Sequence, residues 1–104
     1  MDFTHILNLA ANAAPAEGGI LSRTIFQDDQ VKVVLFGFGA GEELTEHTST
    51  RSAMIVFISG QGTVGLGPES RPFQAGTWIH MPANLKHAVY AHEPSVMLLI
   101  LLKS

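Results

Sequence analysis

Gly41-Glu-Glu-Leu-Thr-Glu-His47-Thr-Ser49-Thr-Arg-Ser-Ala53-Met-Ile-Val-Phe-Ile-Ser-Gly60 contains two extended runs bracketed by glycines. Residues 43–48 form a short, mostly polar strand that ends in a Thr/Ser-rich loop, and residues 53–59 form a run of aliphatic and aromatic residues suited to a buried strand. Side chains alternate between the two faces of a strand, so His47 and Ser49 share one face, as do Ala53, Ile55 and Phe57. The same reading extends outward. Further strands are predicted near 20–26, 31–38, 62–66, 72–74, 77–81, 87–92 and 95–102, divided by Gly, Pro and Asp. Asp28-Asp29 marks a turn, Gly60-Gln61-Gly62 reads as a tight hairpin, and Gly67-Pro68-Glu69-Ser70 as another. The pattern predicts an all-β sandwich or barrel, laid out as a meander of hairpins. Ahead of it, Phe3, Ile6, Leu7 and Leu9 have helix-like spacing before Pro15, which predicts a short N-terminal helix or ordered arm.

A second stretch, Gly76-Thr-Trp-Ile-His-Met-Pro82-Ala-Asn84-Leu-Lys-His87-Ala-Val-Tyr-Ala91, follows the first after fifteen residues, 61–75. The two resemble the paired motifs of the cupins, G-x5-H-x-H-x3-E-x6-G and G-x5-P-x-G-x2-H-x3-N, at the separation found in compact single-domain members. The resemblance implies one cupin-type double-stranded β-helix (jelly-roll) barrel, with residues 1–104 as a single domain: an arm over 1–19 and the barrel over 20–104. In metal-binding cupins the two histidines and the glutamate of the first motif join the histidine of the second around one ion. Here His47 and His87 match, whereas Ser49 stands at the second histidine position and Ala53 at the glutamate position. Asn84 replaces the motif glycine, a mild change because Asn tolerates the left-handed backbone region. Ala91 replaces the motif asparagine.

If those faces line the barrel, the ligand pocket is formed by His47, Ser49, Ala53, Ile55, Phe57, Met81, His87 and Val89, apolar apart from two imidazoles and a hydroxyl. His47 and His87 are the candidate metal ligands. The resemblance implies a divalent ion such as zinc, iron, manganese or nickel, held weakly because two neutral imidazoles leave its charge uncompensated. His80 is a candidate third ligand, but Ile79 and Met81 are the more natural inward residues of that strand. Trp78 and Tyr90 fall on outward faces. Glu42, Glu43 and Glu46 are expected as an acidic cluster near the barrel mouth.

Hydrophobic residues make up 46% of the chain and charged residues 14%, a balance that predicts folding rather than disorder. The net charge of −3, with six Lys and Arg scattered along the chain, offers no basic stripe for nucleic acid, so a small organic molecule is the expected ligand. With no cysteine there are no disulfides or thiolate sites. Asp2 stands where a secretory signal carries Lys or Arg, and the longest apolar run, 96–102, is far shorter than a membrane span; a cytoplasmic protein is expected. That same run does not alternate, so both of its faces must leave water, which predicts a homodimer with the arm contributing. The sequence leaves three functions open: a small-molecule-binding barrel, a metal-dependent oxygenase or isomerase using His47 and His87, and a non-catalytic sensor or assembly module.

Overall fold

Nine strands follow one 3-10 turn, Ala10–Asn12, in the computed structural model, which describes residues 1–14 and 18–103. Pro15, Ala16 and Glu17 of the expected arm, and Ser104, lie outside the described residues. The strands are β1 (Ile20–Gln27), β2 (Val31–Phe38), β3 (Glu43–His47), β4 (Ala53–Ser59), β5 (Gln61–Leu66), β6 (Glu69–Gln74), β7 (Trp78–Met81), β8 (His87–Ala91) and β9 (Ser95–Leu102). Two sheets face each other, one ordered β1-β2-β9-β4-β7 and the other β3-β8-β5-β6. This is the double-stranded β-helix.

The expected meander is corrected by that order, because only β1–β2 and β5–β6 pair with their sequence neighbours. Gly60 is not a hairpin: β4 pairs with β7 and β9, while β5 pairs with β6 and β8. The chain turns there and crosses to the other sheet. The corner needs glycine, since Gly60 has φ +97° and a Cβ would collide with the Ser95 side chain. The β1–β2 hairpin turns where Asp28 stands, its carboxylate accepting from the Gln30 and Val31 amides at 2.8 and 3.0 Å.

Between the sheets, Phe38, Ile55, Phe57, Val64, Phe73, Val89 and Met97 form the main core, with Phe57 stacked on Phe73 at 3.8 Å between ring centroids. The outer face of the five-stranded sheet carries a second cluster, in which Leu9, Ala10 and Ala13 of the arm cover Leu35, Val96 and Leu98. This explains how β9 can be apolar on both faces. Met97 turns into the barrel while Val96 lies beneath the arm. Of the two expectations for Phe3 to Ala14, a short helix or an ordered arm, the α-helix does not form; the arm is irregular up to the 3-10 turn, because Phe3 and Leu7 stay in solvent and too few side chains reach the sheet to fix a turn of helix. Among the described residues no helix is long and apolar enough to cross a membrane.

Candidate functional site

Cross-strand pairing, and not proximity in sequence, brings His47 and His87 together. They are direct register partners across β3 and β8, with ring centroids 4.1 Å apart and ring planes at 62°. A bulge makes this possible. Leu44 is opposite Val89 and points into the core, so strict alternation would turn Glu46 inward and His47 outward. One extra residue in β3 between Leu44 and His47 reverses the phase and aims the imidazole at the barrel.

Both rings are locked in the same way. His47 Nδ1 lies 2.7 Å from the Thr45 carbonyl and His87 Nδ1 lies 3.0 Å from the Leu85 carbonyl. A carbonyl oxygen only accepts, so each Nδ1 carries the proton and each Nε2 is left as an acceptor on the opposite edge of its ring. His87 is buried, and desolvation, the largest cause, pushes its pKa below the ordinary value of 6.5. The Leu85 carbonyl works against that shift and the neighbouring His47 adds to it. His47 itself is exposed at the mouth.

The two rings open on a cavity of about 160 Å³ lined also by Ser49, Ala53, Met81, Leu99 and Leu101. Ile55, Phe57 and Val89 face inward as their strand positions require, yet they do not line it. They are 1% exposed and lie in the solid core below the mouth, where Phe73 and Val64 fill the space. Leu99 and Leu101 complete the wall and were not singled out from the sequence. Their signal was the inward phase of β9, hidden by a strand that is apolar at every position from 96 to 102. His80 does not reach the cavity: Ala53 pairs with Met81 on the inner face and Met54 with His80 on the outer face. The acidic cluster is divided. Glu42 accepts from the Gly19 amide at 3.2 Å and Glu43 pairs with Tyr90, at the end of β3 away from His47, so only Glu46 is near the mouth.

Asn84 has φ +70°, the left-handed conformation that the motif glycine supplies elsewhere, and its amide donates to the Ser49 carbonyl at 2.7 Å. That bond ties the turn before β8 to the loop after β3, holding the two histidine-bearing segments together.

The residues do not fit the four-ligand ion of the metal-binding cupins. Among the described residues no group of three or more His, Cys, Asp or Glu side chains converges, and the two missing ligand positions hold Ser49 and Ala53. A catalytic zinc site generally has three protein ligands. A larger hollow, about 560 Å³, lies between the arm and the barrel near Ala10, Phe38, Ser59 and Ser95. Among the described residues no titratable side chain lines it, and Ser95 already donates to the Glu93 carbonyl at 2.8 Å.

The sequence pattern that defines the cupin domain matches residues 34–102. A conserved protein of unknown function from Streptococcus pyogenes superposes with a TM-score of 0.87 at 30% identity, over 100% of this chain and 91% of that one. A cupin superfamily protein from Desulfitobacterium hafniense gives 0.89 at 23% identity, over 100% and 95%. A cupin 2 conserved barrel domain protein from Leptotrichia buccalis gives 0.86 at 31% identity, over 93% of this chain and 47% of its own length. No curated protein matches the chain.

Proposed function

The chain belongs to the cupin-domain family, and on that premise we propose that it binds a small organic molecule at the barrel mouth, with His47 and His87 as the groups that orient it. One observation carries the reading. Two adjacent imidazoles, each fixed by a backbone carbonyl in the tautomer that bares Nε2, face a cavity that is otherwise apolar apart from Ser49. Paired acceptors of this kind suit a ligand that offers hydroxyl or amine protons. An apolar wall and a few convergent polar groups are the usual composition of such sites. A neutral imidazole near physiological pH is also able to take a proton from a bound ligand. The chain acts as a homodimer in this reading, joined through the outer face of the five-stranded sheet.

A thermal-shift screen of metabolites against wild type, His47→Ala and His87→Ala tests the site. Ligands that raise Tm in wild type by several degrees at saturating concentration should lose the effect in both variants. Ligands that stabilise both variants as well as wild type would move the site elsewhere. Stoichiometric metal retained by tag-free protein after dialysis would replace this reading with a metal-centred one.

A further inference from the structure

The histidine cavity does not stand alone. A cleft of about 380 Å³ adjoins it and shares Ser49 and Leu101 as common wall; its remaining lining is Gln27, Lys32, Thr50, Arg51 and Lys103. Three of the chain's six Lys and Arg thus converge on one side of the mouth, in a protein whose net charge is −3. Half of the positive charge is gathered where a scattered sequence gave no hint of a patch.

Lys32 is the most telling of the three. β2 turns alternate residues inward, and Val34, Phe36 and Phe38 of that row pack between the sheets. Lys32 continues the same row toward the mouth, directly opposite Leu101, which packs on the core and lines the histidine cavity. Lys32 is half-buried in this inward row, and among the described residues no carboxylate side chain pairs with it. Among the described residues the one ion pair is Arg71 with Glu69, so neither Lys32 nor Arg51 has an acidic side chain within 4.0 Å. Lys103 donates to the Asp28 carbonyl at 2.8 Å, and the Asp28 carboxylate is occupied by the Gln30 and Val31 amides. The Arg51 amide donates to Ser49 Oγ at 3.1 Å, which anchors the loop that presents its guanidinium.

We propose that the barrel mouth takes a small organic anion, its carboxylate or phosphate held by Lys32 and Arg51 and its hydrogen-bond-donating portion on Nε2 of His47 and His87. Size supports this division of labour. The histidine cavity alone is below the roughly 300 Å³ at which small-molecule pockets begin, and the adjoining cleft brings the site into that range. Charge supports it as well. Guanidinium and ammonium groups on the rim attract an oxyanion and bind it with charge-assisted hydrogen bonds, while the bare Nε2 atoms accept from a hydroxyl and offer nothing to an anion. The inference rests on the histidine cavity being a ligand site.

Two matched pairs of probes test it by NMR titration of the amide and imidazole resonances: lactate against lactamide, and glycerol 3-phosphate against glycerol. At least one anion should bind saturably and shift Ser49, Arg51, Leu101 and the His87 ring, with its neutral partner at least about tenfold weaker, and the choice between the two anions tells carboxylate from phosphate. Lys32→Met and Arg51→Gln should each weaken the anion by about three- to tenfold, and added salt should weaken it further. The proposal is overturned if the neutral partners bind as tightly as the anions, if both variants bind like wild type, or if no probe binds a folded protein at tens of millimolar. The two readings fail differently. Equal binding of neutral and anionic probes with ring shifts keeps the histidine site and removes the anion; anion binding unchanged in His47→Ala and His87→Ala keeps the oxyanion cleft and removes the histidine site.

Discussion

The His87 ring is 7% exposed and its depressed pKa has three causes of unequal weight. Desolvation leads, the Leu85 carbonyl opposes it, and repulsion from His47 contributes least. NMR should therefore find His87 titrating below 6.5, and His47→Ala should raise that value only slightly. A large rise would mean that the neighbouring imidazole, and not burial, sets the affinity. The sign for stability follows from the same direction. A histidine depressed in the native state binds its proton more readily when unfolded, so its contribution is present above 6.5 and is lost as pH falls through the native value. The denaturation midpoint should drop as pH falls from 6.5 toward the native value, and less so in His87→Gln. Individual residues were legible where a motif marked them: His47, Ser49, Ala53, Met81 and His87 line one cavity. Lys32 was not, because between Val31 and Val33 it has the appearance of the solvent-facing member of an edge strand. Its inward direction depends on the register with β9, where its partner is Leu101, sixty-nine residues away in the chain.

Strand positions were legible because each run is bounded by residues with a local reason to turn; β6 began three residues earlier than expected, at Glu69, and β5 one residue earlier, at Gln61. Strand order was not legible. Gly60 shows the limit: turn chemistry announces that the chain changes direction, and it is silent on whether β5 stays beside β4 or joins the facing sheet. Three motif glycines, Gly41, Gly60 and Gly76, have φ of +78°, +97° and +93°. At Gly76 a Cβ would meet nothing within 4 Å, whereas at Gly60 it would strike Ser95. Gly76→Ala should then cost only backbone strain, about 1–2 kcal/mol, and Gly60→Ala should cost that plus about 1–3 kcal/mol of overpacking at a sheet-to-sheet corner. Urea denaturation of the two variants compares them directly. Equal losses would mean that the corner relaxes freely around Ser95.

For the whole molecule, the proposed homodimer turns on the outer face of the five-stranded sheet. A monomer of 11.2 kDa is expected to expose about 5,700 Å², and this chain exposes 6310 Å², an excess of roughly 600 Å². That excess approaches the ~800 Å² per partner buried in a standard stable interface. It has an identifiable location. The arm covers Leu35, Val96 and Leu98 but leaves Phe3 and Leu7 at 87% and 90% exposure. Beyond the arm, Met54, Val56 and Ile100 form an apolar stripe bordered by Trp78, which is 59% exposed. In the proposed homodimer a second copy of the chain, bringing its own stripe and arm across a two-fold axis, would cover both at once, because an isologous interface needs a surface complementary to itself. Light scattering across a dilution series should give twice the chain mass. Trp78→Glu should shift the equilibrium toward single chains while leaving the His47 and His87 resonances in place, since Trp78 and the cavity lie on opposite faces of the sheet. If the wild type keeps the mass of one chain at every concentration, the stripe is not a self-association surface and the arm alone is its cover.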